Sequence, residues 1–208
     1  MSENMKSKEM LTTMIRHGSS TVFTTVFITI VLAGCDSGLT AEQHFAQAME
    51  FSDQGDFQGM TIELKNALLK DESFFEGRRA LGEAYILSGD GNSAAKELRL
   101  ANRLRSNDTD VAISLVRAKL LQNQYEAIPD LIKKLGIPEE DTTAQILAAK
   151  AEIGLMKLEP ARAKLLDLLK QSPESIEAYQ ALATIAWRRR DYAETEKWVT
   201  NALEIDPK

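Results

Sequence analysis

From residue 41 onward, apolar residues recur every three or four positions, and the segments with this spacing are separated by short polar or glycine-containing breaks. Leu81, Ala84, Tyr85 and Ser88 fall on one face of a 3.6-residue helix, and Ala94, Leu98 and Ala101 fall on one face of the next. The breaks come at Gly55-Asp56, Gly89-Asp90, Asn123-Gln124, Lys157-Leu158-Glu159 and Arg190-Asp191. Pro160 suits the first turn of a helix, where its missing N–H is not needed. The pattern itself repeats. Gly55-Asp56 and Gly89-Asp90 lie 34 residues apart, as do Ala67 and Ala101, and Pro173 and Pro207. A period of this length means stacked units, because one helix pair cannot bury both its faces and stacking supplies the missing cover.

Thirty-four residues is the period of the tetratricopeptide repeat (TPR), and the side chains follow that family's pattern. Bulky residues are wanted at repeat positions 4, 7, 11, 17 and 24, small ones at 8, 20 and 27, and proline near 32. Five repeats fit on 41–74, 75–108, 109–141, 142–175 and 176–208. The second carries Leu81, Gly82, Tyr85, Gly89, Ala94, Leu98 and Ala101 in place, and the fifth Tyr179, Leu182, Ala183, Tyr192, Trp198, Ala202 and Pro207. The third departs most: it is one residue short, has Val116, Ile128 and Leu135 at small positions, and ends early at Gly136-Ile137-Pro138. The resemblance implies an all-α solenoid, a right-handed superhelix with a concave groove.

Residues 1–20 carry Lys6, Lys8 and Arg16, and a short apolar run from Thr21 to Ala33 follows. This is the layout of a secretory signal, and the run is too short and too rich in threonine for a permanent span. Leu32-Ala33-Gly34-Cys35 resembles a bacterial lipobox, which implies cleavage before Cys35, the chain's single cysteine, and its lipidation. Two or three acyl chains give stable anchoring, at about 0.8 kcal/mol per buried CH₂. Asp36 resembles the signal that keeps a lipoprotein in the inner membrane, so the expected site is its periplasmic face, with the outer membrane as the alternative. Residues 35–40 then form a lipidated N-terminus and short linker.

Composition narrows the function. One cysteine excludes an intrachain disulfide and cysteine-rich zinc sites. Residues 1–34 hold three basic and two acidic side chains, so removing them takes the formal charge from −6 to −7, which argues against nucleic acid as a partner. Gly89-Asp90-Gly91-Asn92-Ser93-Ala94 matches a dinucleotide-binding pattern but follows a helix rather than a strand. Read as a calcium loop, Asp90 would need a glutamate twelve positions along, where Ala101 stands. His44 has no neighbour at metal-ligand spacing, and Glu139-Glu140-Asp141 reads as a solvated loop and helix start. No enzyme activity, cofactor or metal is expected.

In TPR proteins the first helix of each repeat lines the groove. Carried over, the resemblance assigns Phe45 and Met49 in repeat one, Arg79 and Glu83 in two, Ile113 and Arg117 in three, Ile146 and Lys150 in four, and Glu177, Gln180, Thr184, Trp187 and Arg188 in five. Arg79, Arg117, Lys150 and Arg188 give one base per repeat, able to pair with carboxylates of a peptide or an acidic glycan, or balanced by Glu76, Glu83 and Glu177. Phe45, Met49, Ile113 and Ile146 favour a peptide. The carboxylate clamp of chaperone-binding TPRs is not matched, since Glu83 stands where its asparagine belongs.

The final repeat should leave an apolar edge that includes Ala186, Val199 and Leu203, open to self-association or partner docking unless the chain is a shortened form of a longer array. Ile62–Leu68, Leu81–Tyr85 and Ala94–Leu98 behind a lipobox resemble the start of the longer TPR lipoproteins of exosortase (PEP-CTERM) and exopolysaccharide systems. Pilotin-like TPR lipoproteins of type IV pilus secretins share the outline. The expectation is a non-enzymatic, membrane-anchored scaffold for protein partners, with an accessory protein binding an acidic polysaccharide as the alternative.

Overall fold

A computed structural model describes residues 38–207, so the signal segment, Cys35 and Asp36 lie outside the described residues. Among the described residues there are ten α-helices and no strand: α1 (Ala41–Asp53), α2 (Phe57–Lys70), α3 (Phe75–Leu87), α4 (Gly91–Leu104), α5 (Thr109–Leu121), α6 (Ile128–Lys134), α7 (Thr142–Gly154), α8 (Leu158–Gln171), α9 (Ile176–Arg188) and α10 (Tyr192–Ile205). They form the all-α solenoid of helix pairs that the periodicity implies.

The helix starts are set by side chains that accept otherwise unpaired N–H groups of the first turn. Thr40 and Gln43 form a capping box on α1, and Asp56, Asp90, Asp108, Asp141, Ser175 and Asp191 each accept from the first turn of the helix that follows. The Gly89–Ala94 stretch is therefore an inter-helix turn, with Asp90 accepting from the N–H groups of Asn92 and Ser93.

All five pairs turn in the same way. Gly55, Gly89, Asn123, Met156 and Arg190 have φ between +57° and +78°, and the next residue donates its N–H to a carbonyl five back, as Asp90 does to Tyr85 and Asp191 to Ala186, both at 2.9 Å. This left-handed helix stop suits glycine and strains a side chain. The fourth turn sits one residue earlier than the sequence suggested. Met156 holds the left-handed position, and Leu158 already belongs to α8.

The core runs between successive pairs. Leu64, Leu98 and Leu165 on second helices are fully buried, as are the small residues Ala48, Ala94, Ala101, Ala149 and Ala161 at the crossings. Gly82 lets α3 lie directly on Leu98, only 2.5 Å from where a Cβ would stand.

A second periodic place carries varied chemistry. Nineteen residues separate His44 from Glu63 and Arg78 from Glu97, both hydrogen-bonded at 2.6 Å. The corresponding residues of the fifth repeat, Tyr179 and Trp198, stack with ring centroids 6.0 Å apart.

Repeat three breaks the regularity. In place of a fourteen-residue second helix it has a 3₁₀ turn over Tyr125–Ala127 and the seven-residue α6, which stops at Gly136 ahead of Pro138. The Tyr125 ring lies on Gly154, where a Cβ would come within 2.6 Å of it.

Candidate functional site

The inner surface is built from α3, α5, α7 and α9, with neighbouring first helices in contact. Three of these helices converge on one carboxylate. Arg117 of α5 donates from Nη2 to Oε1 of Glu177 on α9 at 3.0 Å, and Lys150 of α7 places its Nζ 4.0 Å from the same oxygen. Burial pushes the Lys150 ammonium below its ordinary value; Glu177 opposes that shift and Arg117 reinforces it. One turn of helix from Arg79, Glu83 lies 3.6 Å away, and its carboxyl is raised above the usual range by burial, against the pull of Arg79.

The fourth base is held differently. Arg188 donates from Nη1 to the carbonyl of Ile153 at 2.9 Å and lies 3.1 Å from the Met156 sulfur, so it caps the end of α7. Beside it Lys150, Gln180, Thr184 and Tyr125 line a shallow pocket of about 310 Å³.

Of the four expected bases, Arg117 and Lys150 are brought together, and none of the four stands as a free charge. Arg79 is balanced by Glu83, and Arg117 and Lys150 share Glu177, whereas Glu76 pairs outside the row with Arg105 at 2.7 Å. The apolar strip needs correcting. Ile113 and Ile146 are 8% and 3% exposed, closed off in the core where α5 meets α7 and α7 meets α9, so neither lines the groove. Phe45 and Met49 are half-buried against the first-repeat core, with Phe45 edge-on to Phe74 at 5.5 Å. Trp187 is 62% exposed and makes an edge contact with Tyr192 at 5.5 Å. Ala186, expected at the open C-terminal edge, is fully buried, because its side of α9 faces the preceding pair.

Glu177 is the residue whose role the sequence concealed. Its groove position is readable from the repeat, but its partner Arg117 is 60 residues away, two repeats back, and only the curvature of the stack brings them together. Beside α6 lies a second hollow, of about 720 Å³, lined by Ile132, Ile137, Ala144 and Ala148. Lys164 lies at its edge, paired with Glu152. No group of three or more His, Cys, Asp or Glu side chains among the described residues could hold a metal ion, and no helix among them is long and apolar enough to cross a membrane.

No protein-family model and no curated protein matches the sequence. Solved structures do match. TTC0263, a thermophilic TPR protein from Thermus thermophilus, superposes with a TM-score of 0.66 at 15% identity over 81% of this chain and 92% of its own. PilW, described as a type IV pilus biogenesis factor, gives 0.60 at 14% identity over 81% and 78%. YrrB, described as a TPR protein with an unusual peptide-binding site, gives 0.53 at 16% identity over 81% and 87%. At these identities the likeness concerns the path of the chain, and together with the five helix pairs it gives the described residues the fold of a tetratricopeptide-repeat solenoid.

Proposed function

We propose that this protein is a membrane-anchored, non-enzymatic scaffold that holds an acidic peptide segment of a protein partner in its inner groove, within a bacterial cell-envelope assembly or export system. The observation that carries the reading is the meeting of Arg117, Lys150 and Glu177 from three repeats. Two cations against one carboxylate leave a net positive site in a protein whose overall charge is −6. An incoming carboxylate can pair with Lys150, which is 4.0 Å from Glu177, without breaking the closer Arg117 contact. Gln180, Thr184 and the Arg188 guanidinium extend the site with neutral donors and acceptors and a further cation. The peptide-binding site named for YrrB is consistent with such a use of this fold.

Lipidation of Cys35 would tether the scaffold, with Asp36 favouring the periplasmic face of the inner membrane. Resemblance to the lipoproteins of exosortase and exopolysaccharide systems favours that setting. A pilotin-like role is the second reading, favoured by the likeness to PilW. The test compares the parent with an Arg117→Gln/Lys150→Gln variant, which removes both cations without placing new carboxylates against Glu177 and is checked for retained helicity. Partners recovered from solubilised envelope at low and raised salt should fall in the variant, most at low salt. Undiminished recovery at both salts refutes the charge-reading groove. Loss of fatty-acid label in Cys35→Ser checks the anchor separately.

A further inference from the structure

We infer that the exposed face of α4 carrying Lys96, Arg99 and Arg103 lies against the anionic headgroups of the membrane to which the chain is tethered. The inference rests on the membrane-anchored reading proposed above and does not depend on what the groove binds.

This face is left positive by the way charges pair along the chain. Arg78, Arg79, Arg105, Arg117, Arg162 and Arg189 each meet a carboxylate at 3.6 Å or less. Arg99 and Arg103 meet none among the described residues, although acidic side chains outnumber basic ones 31 to 25. The single carboxylate of α4, Glu97, is buried and accepts from Arg78, so Lys96, 3.5 Å from it, stands beside a charge already answered. Spacings of three and four put Lys96, Arg99 and Arg103 on one side of the helix, and all three are exposed. With Leu100 and Asn102 they line a shallow hollow of about 480 Å³. Lys119 of α5 is close enough that the Arg99 charge adds to burial in holding its ammonium below the ordinary value. Nothing on α4 neutralises this cluster.

A lipid surface is the occupant that the surroundings fit. Leu100 and Leu104 flank the arginines, and Leu104 is 44% exposed. Basic side chains beside leucine suit the boundary between headgroups and acyl chains, where the cations reach phosphates while their stems and the leucines leave water. No aromatic side chain stands on α4 to stack a nucleic-acid base. Position agrees with the tether. First helices begin and second helices end at the edge that carries the connections between repeats, so Thr40 before α1 and Leu104 at the end of α4 share that edge. Thr40 lies five residues beyond Cys35, a distance of at most about 18 Å in extended chain. A lipidated Cys35 would therefore keep that edge near the bilayer. Because the chain as a whole carries a charge of −6, an anionic surface favours the orientation that turns α4 toward it.

A fluorophore attached through a Leu104→Cys substitution reads the contact. The full chain is reconstituted into phosphatidylcholine vesicles, with or without about one third phosphatidylglycerol, both carrying a headgroup quencher. Quenching at low salt should be roughly twofold stronger on the anionic vesicles and should fall to the neutral level in raised salt. It should fall equally in Arg99→Gln/Arg103→Gln, which keeps its helicity. A probe at Leu203→Cys should show no such difference. Equal quenching on both vesicle types, or quenching that the α4 variant keeps, overturns the inference. Reversal by inorganic phosphate but not by chloride of equal ionic strength would mean a small-anion site, which also overturns it. Poly-glutamate binding that requires Arg99 and Arg103, with the probe unquenched on anionic vesicles, would mean an acidic protein segment and overturns it too. The anchor fails separately if the parent, whose single thiol is Cys35, takes up label. Flotation of that untethered chain then decides: anionic vesicles should bind it roughly tenfold better than the α4 variant, and equal binding overturns the inference.

Discussion

The tightest helix crossing in the array sets a sharp prediction. At Gly82 a single methyl group would lie 2.5 Å from Cγ and 2.7 Å from Cδ2 of Leu98, whereas ordinary contact begins at 3.4 Å, so α3 and α4 would have to separate by nearly an ångström or Leu98 would have to leave its rotamer. Leu98 is fully buried, and a close-packed interior leaves a side chain little room to turn. Overpacking of this kind costs about 1–3 kcal/mol, and replacing a mid-helix glycine with alanine returns about 0.5–1 kcal/mol. Gly82→Ala should therefore destabilise by about 1–2 kcal/mol, equivalent to a drop of roughly 2–8 °C in a domain of this size. The decisive assay is a double-mutant cycle by thermal or urea unfolding. Leu98→Ala alone should cost about 2–5 kcal/mol, and adding Gly82→Ala to it should cost nothing further, because the new methyl enters the space that the leucine leaves. Gly82→Ala at or above the parent's stability, or additive losses in the cycle, would refute the claim that Gly82 is there for close approach. Exposed Lys96→Ala serves as the neutral control.

Arg190→Gly should raise stability by about 0.5–1 kcal/mol, because Arg190 holds φ +60° at the turn where two other repeats use glycine; a lower melting temperature would count against this. Arg78→Ala should cost about 3–5 kcal/mol by stranding the buried Glu97, softened by Lys96 at 3.5 Å, and Arg78→Met/Glu97→Leu should recover most of the loss in the same melts. Glu83 gives a pH signature. Its folded-state carboxyl is raised above the ordinary 4.5, so the folded chain holds that proton more tightly than the unfolded one, and its contribution to stability falls as pH rises from about 4.5 through the raised value. Glu83→Gln should flatten that part of the stability profile; an unchanged slope would mean that burial does not tune this group.

What could be read in advance followed from how far apart in the chain the interacting groups lie. Helix pairs, turns and small crossings depend on neighbours within about one repeat, and there the 34-residue pattern identified Gly82, Ala94 and Ala101 as buried small residues. The fourth turn slipped by one residue because Met156 is not a turn-forming type; the repeat geometry, not its propensity, holds it left-handed. Ile113 and Ile146 were misplaced for a related reason. Position five faces the groove where it carries Arg79, but an isoleucine there closes into the contact between adjacent first helices.

The same position can therefore be surface or core according to the side chain placed on it, and a repeat register alone cannot decide which. Long-range electrostatics is a further step removed. Glu83 meets Arg79 along one helix and Glu76 meets Arg105 within one repeat, whereas the pairing of Glu177 with Arg117 depends on superhelical curvature summed over two repeats. The shortened α6 falls within that interval, between the helices that carry Arg117 and Lys150. A half-length helix with Tyr125 laid over Gly154 lets α7 sit against repeat three differently from any other neighbour. Restoring a full second helix there would be expected to change the approach of Glu177 to Arg117 before it changed the stability of either flanking repeat.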